Sequence, residues 1–273
     1  MKLHFGVGVL GTMLPTAMVF GGAIDSTSGL LYNLDASAGV TADGSNKVSS
    51  WQSQFATTPT FTQATTAKQP TLFAGTAGTI NGLPYIRFDG DISGNSGGIA
   101  PNADELIYAT SSAPRTVFIV NRLNANTGFA AIWGSEGADT GIRRVSAGTS
   151  WSHPGNANDF TNTGSFFVNG DTNLAVGTNT WHIVAATTGA SPTYAQTSIG
   201  DYFRSGTVTP RSFNGDIAEV VVYNRVLSAA ERQAIELELG EKYGIAVVPE
   251  PAGLTAFAAA AAGLLIARRR LQH

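Results

Sequence analysis

Residues 213–245 read FNGDIAEVVVYNRVLSAAERQAIELELGEKYGI, and this stretch decides the fold. Asn214-Gly215-Asp216 carries turn chemistry, because Asn and Gly accept positive φ. Ile217–Tyr223 is rich in β-branched and apolar residues and has the length of one buried strand. Leu227 then precedes Ser228-Ala229-Ala230-Glu231, the pattern of a capping box. In that box the Ser228 hydroxyl accepts from the Glu231 N–H, while the Glu231 carboxylate accepts from the Ser228 N–H. Ile235, Leu239 and Tyr243 recur at a spacing of four, with Ala234 beside them, so one helical stripe is apolar. Gly244 reads as a left-handed stop. The stretch is a turn, a strand, a short link and a closing helix.

Upstream, short strands recur at hairpin spacing. Leu30–Asp35 and Val48–Gln52 come first, with Ala38–Ser50 read as mainly turn and loop. Thr57–Lys68 reads as irregular. Asn81-Gly82 is a strong hairpin signal, and Tyr85, Arg87 and Asp89 then alternate with Ile86 and Phe88. Leu106–Tyr108 reads as a short edge strand and Arg115–Arg122 as a buried one. Gly128–Gly134 and Gly141–Val145 form the next pair, and Asn169-Gly170-Asp171 turns a further hairpin. Thr180–Thr187 alternates again, before Tyr194–Ile199. Roughly a dozen strands with one helix at the end argue a two-sheet sandwich.

Three of these segments resemble a known family. The strand and helix of residues 213–245, the segment NGLPYIRFDG at 81–90 and the strand TWHIVAAT at 180–187 look like those of concanavalin A-like (laminin G-like) jellyroll domains of bacterial surface proteins. The resemblance implies an all-β, two-sheet antiparallel jellyroll sandwich over residues 24–246. It is nearly silent on chemistry.

The two ends read as addresses. Lys2 followed by the apolar run Phe5–Phe20 and the small residues Gly21-Gly22-Ala23 has the form of a signal peptide over residues 1–23. The alternative is a buried N-terminal strand. At the other end, Pro249-Glu250-Pro251 precedes the mostly apolar run Ala252–Ala267 and then Arg268-Arg269-Arg270. That run is short of the roughly 20 residues of a full span. The order over residues 247–273 resembles the PEP-CTERM sorting signal of Gram-negative bacteria; an ordinary C-terminal anchor is the alternative. The resemblance implies signal peptidase and an exosortase-type membrane peptidase as processing partners. It also implies transient anchoring by a hydrophobic helix, then a cell-surface or matrix location.

Composition sets further bounds. There is no Cys, which excludes disulfides, thiolate metal sites and cysteine nucleophiles. The formal charge is −3, and setting aside Lys2, Arg268, Arg269 and Arg270 leaves 12 of the 16 basic residues against 19 acidic ones. Nucleic acid, which needs a basic footprint, is not an expected partner.

Glycoside hydrolysis needs two carboxylates placed across one bond. Asp216 and Glu219 are the nearest pair, but a spacing of three puts them on opposite faces of a strand. Glu219 then reads as a hydrogen-bonded structural residue and His182 as a structural strand residue. No Gly-x-Ser-x-Gly elbow is present. Sugar binding would use aromatic rings with polar neighbours, for which Trp133, Trp151, His153 and Tyr202 are the candidates. Trp51 and Trp181 lie within strand patterns and read as core. Asp89, Asp91 and Asn95 offer oxygen ligands for Ca²⁺ at short spacing, with turn formation as the plainer use of such residues. The expected function is a non-catalytic surface module that binds a polysaccharide or envelope component. The alternatives are a polysaccharide-degrading hydrolase or lyase on the same fold, and a purely structural surface protein.

Overall fold

The computed structural model describes residues 22–55, 59–74, 80–90, 103–125, 130–135, 140–144, 151, 160, 165–201 and 212–249. In chain order these hold a one-turn helix α1 (Ala23–Ser26) and strands β1 (Leu30–Asp35), β2 (Val40–Ala42), β3 (Val48–Gln52), β4 (Thr60–Thr62) and β5 (Thr71–Phe73). Then come β6 (Tyr85–Asp89), β7 (Leu106–Tyr108), β8 (Thr116–Leu123), β9 (Ala131–Ser135) and β10 (Gly141–Arg143). The rest are β11 (Phe166–Val168), β12 (Trp181–Thr187), β13 (Thr197–Ile199), β14 (Asn214–Tyr223) and the helix α2 (Ala229–Tyr243).

The strands form two antiparallel seven-stranded sheets. The first runs β11-β12-β8-β14-β6-β5, with β1 also on β14. The second runs β10-β9-β13-β7-β4-β3-β2. Strand β14 organises the first sheet. One edge pairs with β8 from Gly215 to Tyr223. The other edge is divided: Asn214–Ile217 pair with β6 and Glu219–Tyr223 with β1.

The first sheet is the middle of three layers. Its inward residues, such as Ile217, Val220 and Val222, meet the second sheet in the main core with Trp51, Phe61 and Trp133. Its outward residues Ala218, Val221 and Tyr223 pack in a second core with Ile235, Leu239 and Tyr243 of α2. This explains a strand apolar on both sides: each buried Val adds about 1.5–3 kcal/mol. Across the sandwich, Trp133 Nε1 donates to the buried Tyr32 hydroxyl at 2.9 Å. Helix α2 begins with the expected capping box, Ser228 Oγ accepting from Glu231 N and Glu231 Oε2 accepting from Ser228 N at 2.9 Å. Gly244 closes it at φ 66°, in the left-handed region. Asn81-Gly82 and Asn169-Gly170 turn their hairpins with both residues at positive φ, the conformation of a two-residue primed turn.

Several expectations are corrected. Asn214-Gly215-Asp216 is not a turn but the first three residues of β14. Gly215 is needed for close packing rather than for its φ, since a Cβ there would lie 2.4 Å from the Arg122 carbonyl oxygen. Strand β7 is interior to the second sheet, flanked by β13 and β4, not at its edge. The stretch 38–50 contains β2, and Thr57–Lys68 contains β4 and a 3-10 turn at Thr66–Lys68.

Candidate functional site

The outer face of the first sheet divides into two halves. One lies under α2. The other carries a polar row across five adjacent strands. Thr71 of β5 faces Arg87 of β6, Arg87 faces Asp216 of β14, Asp216 faces Arg122 of β8, and Arg122 faces Trp181 of β12. Directly opposed residues on antiparallel strands share a face, so pairing alone brings these side chains together. Tyr85 and Arg87, two apart on β6, share the outer face, while Ile86 and Phe88 enter the main core.

Asp216 has no exposed side-chain surface and is the hub of the row. Arg87 reaches it through Nε at 2.7 Å and Nη2 at 3.2 Å. Arg122 reaches it through Nε at 2.8 Å and Nη2 at 2.5 Å. Asn124 Nδ2 adds a contact at 3.2 Å. Hydrogen bonding to Asp216 is the largest influence on the Arg87 guanidinium and raises its pKa. Three rings fix the planes of the guanidinium groups. Arg87 lies 4.4 Å from the Phe73 centroid, and Arg122 lies 5.0 Å from that of Trp181 and 5.4 Å from that of Tyr85. Tyr85 stacks on Phe73 at 5.2 Å and meets Trp181 edge-on at 5.4 Å. Both arginines are half-buried, with 35% and 23% of their side chains exposed. Their Nε–Nη2 edges are committed to Asp216, and Nη1 of each makes no hydrogen bond to a described residue. Two fixed cations flank one carboxylate, with donors left toward solvent.

Glu219 lies on the same outer face, contrary to the spacing argument. The pairing of β14 with β8 shifts register between Ile217 and Glu219, and the bulge restores Glu219 to the side of Asp216. It is tied down there. Glu219 Oε2 accepts from Lys242 Nζ at 2.7 Å and from the Tyr243 hydroxyl at 2.8 Å, and Lys242 also reaches Asp35 at 2.6 Å. Burial raises the Glu219 pKa against the pull of Lys242. The structural reading of this residue fits its contacts, which join sheet to helix.

A second acidic pair sits at the end of β6. Asp104, 1% exposed, accepts the Asp89 N–H through Oδ2 at 3.0 Å. Its Oδ1 is buried with no hydrogen-bond partner. Burial, then the charge of Asp89, pushes the Asp104 carboxyl up to about 7. An orphaned carboxylate oxygen beside a second carboxylate supplies part of the oxygen set of a hard cation, but among the described residues no group of three or more acidic or histidine side chains gathers there.

The other sequence-derived candidates are placed as follows. Trp133 and Trp151 are fully buried and face other core rings, so neither offers a flat surface to a sugar. The loop setting read for Trp151 gives way to a bridge with Arg144. His182 is a buried strand residue with Nδ1 3.3 Å from Asn169 Nδ2. Trp181, read as core, is half-buried and closes the polar row. Asp89 is exposed at the end of β6. His153, Tyr202, Asp91, Asn95, Glu250, Pro251, Arg268, Arg269 and Arg270 lie outside the described residues. Pro249 is the last described residue and is exposed. It follows Val248, whose N–H donates to the Asn169 carbonyl at 2.8 Å. Among the described residues no helix is long and apolar enough to cross a membrane. Sequence reasoning missed Arg87, Arg122 and Asp104 as site residues and weighed Asp216 only as half of a catalytic carboxylate pair. The one available signal was the polar alternation Tyr85-Arg87-Asp89.

No family profile matches the chain, and no curated relative matches it. Among solved structures it is similar to "Trypanosoma rangeli sialidase in complex with sialic acid", with a TM-score of 0.39 and 15% identity. The match covers 81% of this chain and 34% of that one, so the chain spans about a third of the length of the solved chain. A likeness at this level carries no argument about chemistry.

Proposed function

We propose that the chain is an exported, non-catalytic surface β-sandwich that holds a glycan against the open half of its first sheet. The carrying observation is the Arg87–Asp216–Arg122 row, in which three aromatic rings and one buried carboxylate hold two guanidinium groups half-open to solvent. Fixed polar groups beside aromatic surface suit sugar hydroxyls and ring faces. Hydrolysis is disfavoured by the setting of its nearest carboxylates: Asp216 is buried between two arginines and Glu219 is buried against Lys242 and Tyr243, so neither is open to a substrate. The concanavalin A-like resemblance of the sequence supports the sandwich on which this face is built. The Pro249–Arg270 tail supports exosortase-type sorting from a Gram-negative cell to its surface or matrix. Asp89 and Asp104 are the residues we assign to a calcium ion, where it would neutralise the acidic pair and brace the end of β6.

The test mixes the purified protein with soluble and insoluble polysaccharides, in calcium or in EDTA. It follows both depletion from solution and release of reducing ends. The expected result is depletion without reducing ends, weaker in EDTA. Released reducing ends would replace the binding module with a hydrolase. Depletion equal in EDTA would remove calcium from the account, and neither signal would leave a structural surface protein.

A further inference from the structure

Resting on the glycan-binding reading above, we infer that the ligand is an acidic polysaccharide and that its sugar carboxylate docks on the outward edges of Arg87 and Arg122. The argument is one of charge and geometry. Asp216 neutralises one of the two guanidinium charges, so the cluster keeps an excess positive charge although the chain as a whole carries −3. Asp216 occupies the Nε–Nη2 edge of each arginine. The Nη1 groups that remain are donors only, since a guanidinium has no acceptor. A neutral sugar hydroxyl offers such a donor one uncharged acceptor, whereas a carboxylate offers two acceptor oxygens and the opposite charge in the planar geometry a guanidinium matches. Phe73 and Trp181 back the two planes, so little side-chain freedom is lost on binding. The site therefore reads the acid group, and the half-buried Trp181 at its margin is the ring left to meet an adjoining sugar.

The experiment uses the full chain and three uronate polymers: alginate, polygalacturonate and hyaluronan. Each is compared with its carboxyl-reduced, neutral form by affinity electrophoresis. The variants are Arg87→Lys and Arg122→Lys, which keep a cation opposite Asp216 but lose the planar fork, with Arg225→Lys as a control beside the helix cap. Circular dichroism checks that each variant is folded. At least one uronate polymer is expected to bind ten times more tightly than its reduced form. Both row variants should weaken that binding about tenfold, and Arg225→Lys should leave it unchanged. Equal binding of acidic and reduced polymers would overturn the acidic ligand and leave the glycan module standing. Acidic binding that ignores both row variants would overturn the site. Failure of the uronates while neutral glycans bind would overturn this inference alone, and failure of every polymer would overturn both readings.

Discussion

The two halves of the first sheet's outer face share β8, β12 and β14 and differ in what covers them. Under α2, β14 presents Ala218, Val221 and Tyr223 to Ile235, Leu239 and Tyr243. Beyond the helix, the same strand presents Asp216 to Arg87 and Arg122. The covered half gains stability from area removed from water. The open half is held by directed bonds among groups that still touch solvent. A purely structural face would need only aliphatic side chains or a scatter of surface charge. Here a fully buried carboxylate accepts from two arginines and holds both guanidinium groups against the sheet.

Substitutions on the two halves should therefore separate. Leu239→Ala, in the covered half, should cost about 2–5 kcal/mol through lost burial and the cavity left behind. Guanidinium denaturation should show it as a lower midpoint, and glycan affinity per folded molecule should be unchanged. Asp216→Asn should cost less, on the order of 1–3 kcal/mol, because its arginines are partly exposed and water screens them once freed. It should nevertheless weaken glycan binding severalfold by releasing both guanidinium planes. If Asp216→Asn lowers stability and leaves affinity untouched, the open half is structural.

The smallest expected effect lies at the sheet margin. Burial lowers the His182 pKa below its unfolded value near 6.5. Below that value the unfolded chain binds the His182 proton more readily than the folded one, so the His182 contribution to stability should fall as pH drops from 7 toward the folded pKa, while Asp104, whose carboxyl is pushed up to about 7, acts in the opposite sense. The slope should be at most about 1.4 kcal/mol per pH unit. His182→Gln should remove this contribution, so that in thermal unfolding the variant loses less stability than the parent as pH is lowered from 7. An unchanged slope would place the acid sensitivity elsewhere.

The fold was far more legible than the site. Strand β1 and strand β3 coincide with the segments read from the sequence, because their patterns are local. The capping box and Gly244 are local too, and so are the two Asn-Gly turns. Asn214-Gly215-Asp216 has the same local chemistry as a turn, yet β6 and β8 draw it into a strand, and no nearby residue announces that. The Asp216 hub joins residues 129 and 94 positions away, so its partners become neighbours only through pairing. The bulge that puts Glu219 on the same face as Asp216 leaves no mark that residue spacing reveals. Trp133 and Trp151 were candidates for a ligand platform as aromatic rings with polar neighbours, but size and apolarity placed them in the core.

The most direct test of the central claim is arginine footprinting. The protein is treated with phenylglyoxal with and without the glycan it retains, and modification is followed by mass spectrometry at Arg87, Arg122 and Arg225. Arg225, 32% exposed and paired with Glu231 at the helix cap, matches the exposure of the row but lies by the covered half. The account predicts that glycan protects Arg87 and Arg122 and leaves Arg225 as reactive as before. Protection of Arg225 alone, or of none of the three while glycan is bound, would contradict it.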